Sequence, residues 1–199
     1  HFWSLDNSLA HVRSMISLGA DWLDIGGESS GPGAPRISVD EELSRVMPLI
    51  ESIRNESDVW LSIDTWKAKV ASEAVHAGVD CVNDVTALRG DPQMASVISQ
   101  SGCSVILMYS KDETARTSLK DKEYNDVIRT IHNFFEERLE FAESRNIPYE
   151  TIMLDPEGYV AEASAANDPA RDFRRYTALR EATTRGGHAS EALTELKKC

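Results

Sequence analysis

Five times along this 199-residue chain, a short apolar run ends on polar residues and a helix-like segment follows. Trp22-Leu23-Asp24-Ile25 runs into Gly26-Gly27-Glu28-Ser29-Ser30, and Leu61-Ser62-Ile63 into Asp64-Thr65. Cys81-Val82 meets Asn83-Asp84, Val105-Ile106-Leu107 meets Met108-Tyr109, and Thr151-Ile152-Met153-Leu154 meets Asp155-Pro156. Strands joined by helical crossovers imply a parallel sheet, with both faces buried. Two architectures fit. A doubly wound sheet gathers its ligand at one switch point. A (β/α)8 barrel carries its chemistry on the face formed by all the strand C-terminal ends. Polar endings on every strand favour the barrel, and they would then converge on one pocket.

The local signals predict the elements. Asp6 caps a helix through Leu9, Val12 and Ile16 that Gly19 closes. Strands are predicted over 22–26, 59–63, 80–83, 104–108 and 151–154. Ser38 and Glu41 form a capping box ahead of Leu43, Val46, Ile50 and Ile53. Thr65 caps a helix through Val70 and Ala74, stopped by Gly78. Asp91-Pro92 opens another, ended by Gly102. A long helix is predicted over 121–145, its apolar stripe of Val127, Ile131, Phe134 and Ala142 interrupted by Arg138. Asp168-Pro169 repeats the Asp-Pro helix start. This divides the chain into a partial barrel over 1–182 and an atypical tail over 183–199. A full barrel takes about 250 residues and eight strands. Five strands, matching barrel strands two to six, make an incomplete TIM (β/α)8 barrel.

Composition narrows the function. A formal net charge of −12 excludes a basic nucleic-acid surface. It leaves room for a phosphorylated small molecule, which a few oriented N–H groups can hold. Cys81, Cys103 and Cys199 show no metal or disulfide spacing, which favours a reducing, cytoplasmic setting. No apolar run approaches the roughly 20 residues a membrane span needs. The histidines have no metal spacing, and Trp3, Trp22, Trp60 and Trp66 read as packing residues.

The chain resembles dihydropteroate synthase, of the pterin-binding enzyme family. The resemblance rests on Asp24-Ile25-Gly26-Gly27-Glu28-Ser29-Ser30, Ser62-Ile63-Asp64-Thr65-Trp66-Lys67, Asn83-Asp84-Val85, Asp91-Pro92-Gln93-Met94-Ala95 and Leu154-Asp155-Pro156, in that order. Gly26-Gly27-Glu28-Ser29 favours the synthase over the related pterin-dependent methyltransferases. The resemblance implies a transferase of folate biosynthesis. It would join 4-aminobenzoate to 6-hydroxymethyl-7,8-dihydropterin diphosphate and release pyrophosphate. It further implies that Asp64, Asn83 and Asp155 clamp the pterin and that Met108 forms an apolar wall. Ser30, Gly31 and Pro32 would stand in the loop that meets diphosphate and aminobenzoate. Carboxylates accept the N–H donors of a pterin edge, and an Asn both donates and accepts.

Some family features have no counterpart. The family's magnesium-binding first loop would precede His1. Gly31 replaces the loop arginine, Glu157 a glycine, and the strand-seven lysine has no match. The resemblance therefore implies magnesium without its ligand here, no assignable catalytic residue, and weak catalysis by this chain alone. The alternatives are a truncated, non-catalytic pterin-binding homologue and a pterin-dependent methyltransferase subunit. Five strands leave two open sheet edges, so a homodimer or aggregation is also expected.

Overall fold

The computed structural model describes residues 4–31, 34–112, 115 and 126–156. Within them the chain alternates helix and strand: α1 (Leu5–Ser17), β1 (Trp22–Gly26), α2 (Val39–Glu56), β2 (Trp60–Asp64), α3 (Ala68–His76), β3 (Cys81–Asp84), α4 (Met94–Ser101), β4 (Ser104–Met108), α5 (Val127–Ser144) and β5 (Ile152–Asp155). The five strands are all parallel and lie side by side in chain order. Sequential order without reversal is the arrangement of a barrel segment. A doubly wound sheet would reverse direction at a switch point. The sheet remains open, with β1 and β5 at its edges among the described residues.

Register sorts the side chains onto two faces. Leu23 pairs with Leu61, Ile63 with Val82, Val82 with Val105, and Leu107 with Leu154. These residues are buried, in one cluster with Val12 of α1, Val46 and Ile50 of α2, Val70 of α3, Met94 of α4 and Phe135 of α5. Burying a large aliphatic side chain contributes about 1.5–3 kcal/mol, so this outer layer holds the sheet and helices together. The opposite face carries Trp22, Asp24, Ser62, Asp64, Asn83, Met108 and Asp155. Most of them are more exposed than the outer layer, Ser62 excepted, so β1, β4 and β5 alternate buried and accessible positions. The expectation of strands buried on both faces therefore fails for β1, β4 and β5 and holds better for the central β2 and β3. Trp22 and Trp60 line its lower end, ring centroids 5.0 Å apart in an edge-to-face contact.

The helix ends show where local signals sufficed. Ser38 accepts from the Glu41 amide, as a capping residue should. Gly102 closes α4 at φ +70°, a conformation that costs a residue with a Cβ. Other caps differ from expectation. Ser4, not Asp6, caps α1 by accepting from Asn7 N. The Thr65 hydroxyl accepts from Lys67 N, while the first amide of α3, at Ala68, donates to Asp91 of another loop. Gln93 precedes α4 and Asp91 accepts from its amide, so Pro92 falls outside the helix. Asp126 caps α5, and the predicted turn over 121–125 lies outside the described residues. So do the Asp168-Pro169 helix start and the tail over 183–199. Arg138 is buried after all, its guanidinium 5.1 Å from the Phe141 ring centroid and bonded to Glu137. Among the described residues no helix is long and apolar enough to cross a membrane.

Candidate functional site

The strand register assembles the candidate site. Gly26 pairs with Asp64, Asp64 with Asn83, and Met108 with Asp155. All stand at strand C-terminal ends. In a parallel pair, register partners point to the same face, so Asp64, Asn83, Met108 and Asp155 share the inner face. Gly26 matters by what it lacks: a Cβ there would lie 3.4 Å from both Asp64 Cβ and Oδ2. The glycine leaves room for that carboxyl.

Asp64 is strongly perturbed. Burial first, then the charges of Asp24, Glu42 and Asp84, push its carboxyl up from 3.8 to about 7. Near neutral pH it can therefore accept or give up a proton at little cost. Asn83 donates Nδ2–H to Asp24 Oδ2 at 3.2 Å. Asp24 also accepts a short hydrogen bond from Ser62 Oγ, and Ser62 accepts from Trp22 Nε1 at 2.9 Å. A polar relay thus runs beneath the site, one layer down the strands.

The loop after β1 is anchored by a buried ion cluster. Lys67 Nζ contacts Glu28 Oε2 and Glu42 Oε2, each at 2.5 Å, and Ile37 O at 2.9 Å. The Glu42 side chain is 1% exposed and that of Glu28 7%. Glu28 is therefore held by a lysine at the edge of the crevice that it helps to line. Gly27 lets α2 approach closely, because a Cβ there would lie 2.9 Å from both Glu42 Cγ and Val46 Cγ1. Ser29 and Ser30 then border a crevice shared with Asp64, Thr65 and Trp66. Gly31 follows, its amide donating to Ser29 Oγ at 3.2 Å, and Pro32 lies outside the described residues.

Asp84 has a different job from its neighbour Asn83. Fully buried and of opposite strand parity, it accepts from Thr86 N, Thr86 Oγ1 and Leu88 N at 2.6–2.8 Å. These bonds hold a loop in which Ala87 and Leu88 adopt φ of 51° and 66°. Burial raises the Asp84 carboxyl above its usual range, and the donors oppose that rise. A larger cavity of about 850 Å3 lies elsewhere, along the β1 edge between α1 and α2. It shares Asp24, Gly26 and Glu28 with the site region but does not include Asn83, Met108 or Asp155.

Sequence reasoning passed over Asp24, Glu42 and Lys67. Glu42 had a readable signal: it continues the Val46, Ile50, Ile53 stripe one turn earlier, and a carboxylate on an apolar stripe needs a buried cation. For Asp24 and Lys67 no such spacing exists.

Comparison with known proteins decides the family. The family model described as pterin binding enzyme matches residues 1–184. The chain belongs to this family. Dihydropteroate synthase of Bacillus subtilis is 41% identical over 153 residues, covering 77% of this chain and 51% of the relative. That of Clostridium beijerinckii is 38% identical over 155 residues, 78% of this chain and 55% of the relative. The chain thus spans about half the length of these curated relatives. Among solved structures, dihydropteroate synthase of Clostridium difficile, determined in the presence of pteroic acid, superposes with a TM-score of 0.74. It is 36% identical and covers 94% of this chain and 66% of its own. The Xanthomonas albilineans synthase with 4-aminobenzoic acid gives a TM-score of 0.66 at 35% identity, over 76% of this chain and 52% of that one. These neighbours and the sequential parallel sheet establish a partial barrel of the dihydropteroate synthase type. Among the described residues no group of three or more His, Cys, Asp or Glu side chains is arranged to hold a cation.

Proposed function

We propose that this chain carries the pterin-holding part of a dihydropteroate synthase-like transferase of folate biosynthesis, acting on a pterin diphosphate and 4-aminobenzoate in the cytoplasm. One observation carries the reading. Asp64, Asn83, Met108 and Asp155 fall at adjacent strand ends on one face, and among the described residues the Asp64 carboxyl accepts no hydrogen bond. A largely buried acid that its own chain leaves unbonded is suited to a ligand that brings donors.

In the reaction, the C–O bond to diphosphate breaks and pyrophosphate leaves with the bonding pair. The arylamine nitrogen captures the methylene carbon and then loses a proton. The residues of this chain would act on the ring rather than on the leaving group. Asp64 and Asp155 would accept the N–H donors of the pyrimidinone edge, and Asn83 would complete the row. Preorganised acceptors on that edge also stabilise positive charge as it develops on the pterin. Met108 would cover a ring face. Ser30, Gly31 and Pro32 would lie toward the diphosphate and aminobenzoate. Among the described residues β1 and β5 stand at the sheet edges, which supports self-association as part of this reading.

Calorimetry with 6-hydroxymethyl-7,8-dihydropterin tests the reading. Asp64→Ala should weaken binding by about 1–3 kcal/mol, because N–H donors on the ligand lose their acceptor. Unchanged affinity would remove Asp64 from the site. Release of pyrophosphate and dihydropteroate by the wild-type chain would establish the transferase, and binding without turnover would reduce the chain to a pterin-binding module.

A further inference from the structure

We propose that Asp24 is a positioning residue that fixes which end of the Asn83 side-chain amide faces the pocket, so that the site reads an N–H donor of its ligand at that point. The inference rests on the pterin-holding reading above and assigns a role to a residue outside the clamp itself.

The argument follows the direction of each hydrogen bond. The Trp22 indole can only donate, and Nε1–H is 2.9 Å from Ser62 Oγ. Ser62 therefore accepts there, and its single O–H is left to donate to Asp24 Oδ1. An ionised carboxylate can only accept. Asp24 Oδ2, 3.2 Å from Asn83, must therefore receive Nδ2–H. Every member of the row has one possible role, and together they dictate the sense of the amide. Asp24 pairs in register with Ser62, one layer below the Gly26–Asp64–Asn83 layer. With Nδ2 committed downward, Oδ1 is directed away from Asp24, and among the described residues it accepts no hydrogen bond. An Asn free to flip would donate to a carbonyl or accept from an N–H with equal ease. One held this way offers an acceptor first, which matches a ligand edge of successive N–H groups and disfavours one that presents a carbonyl there.

Asp24 acts through Asn83, so the decisive experiment is a reciprocal exchange. Asn83→Asp places two acceptors against each other and should weaken dihydropterin binding about 100-fold. Adding Asp24→Asn restores a donor on the other side while leaving an acceptor oxygen at position 83. The double variant should recover to within roughly tenfold of wild type. Asp24→Ala alone should weaken binding about tenfold, and Asn83→Ala should then cost little more, since the amide is already unheld. Costs of Asp24→Ala and Asn83→Ala that simply add, or a double exchange as weak as Asn83→Asp alone, would overturn the proposal.

A ligand-free readout separates this failure from failure of the pterin reading. The Asn83 side-chain NH2 protons should give two resolved, exchange-protected NMR signals in the wild-type chain. Those signals should lose protection in Asp24→Ala, which leaves the amide without its acceptor. Wild type that binds no dihydropterin yet shows this pattern refutes the pterin reading while supporting the positioning of Asn83. Asn83 signals identical in wild type and Asp24→Ala refute the positioning whatever the ligand.

Discussion

Asp64 should make the unliganded protein less stable at the pH where it works. Its carboxyl titrates at about 7 in the fold against an ordinary 3.8, because burial and the charges of Asp24, Glu42 and Asp84 oppose ionisation. Below about pH 4 the group is protonated in both folded and unfolded chains, and it costs nothing. Between those values the unfolded chain releases the proton while the folded chain keeps it, so stability falls as pH rises. Above about 7 the cost is complete. At about 1.4 kcal/mol per tenfold, the gap corresponds to about 4 kcal/mol. Asp24 is exposed, so water screens part of its share, and about 2–4 kcal/mol is the working range. Asp64→Asn keeps the shape and removes the charge. Urea unfolding should show it matching wild type at pH 4, pulling ahead between pH 4 and 7, and holding a constant lead at pH 8. The same variant should bind dihydropterin more weakly, since functional sites commonly trade stability for chemistry. An Asp64→Asn protein no more stable than wild type at pH 8, or a lead that does not grow from pH 4 to 8, would refute the electrostatic account.

Two further substitutions probe the scaffold. Lys67→Met leaves Glu28 and Glu42 buried without their cation, and chemical denaturation at pH 7 should show a loss of about 3–5 kcal/mol. Acidification, which neutralises carboxylates, should narrow that loss. Asp84→Ala strands the donors of Thr86 and Leu88 and releases the left-handed turn at Ala87 and Leu88. It should cost about 2–4 kcal/mol in the same assay and raise amide exchange over residues 85–90.

Much of the fold was legible because its signals are local. Each predicted strand lies within one residue of the observed one at either end, since a run such as Val105-Ile106-Leu107 has few other uses. Ser38 and Gly102 behave as their positions indicate, because a cap concerns atoms three or four residues away. Some errors are local, such as Ser4 rather than Asp6 capping α1, and others occur where a distant segment competes. The α3 amide at Ala68 goes to Asp91, 23 residues along the chain, and no pattern around Thr65 could show that. Arg138 looked like a flaw in an apolar stripe, yet its guanidinium lies against Phe141 and its stem is buried with the helix.

The candidate site divides in the same way. Which residues end the strands, and their chemical types, is written in the chain. Asp64, Asn83, Met108 and Asp155 each follow an apolar run, and parallel pairing leaves strand C-terminal ends on one side of the sheet. What those residues can do was decided only by register and packing. Asn83 and Asp84 are neighbours in sequence, yet strand parity sends one to the inner face of the sheet and the other into the loop core. The raised Asp64 carboxyl, the Asp24 hold on Asn83 and the burial of Glu28 against Lys67 join residues 20 to 60 positions apart. Electrostatic energy depends on distance and solvent access, and a linear sequence specifies neither until the sheet has paired and the helices have closed over it.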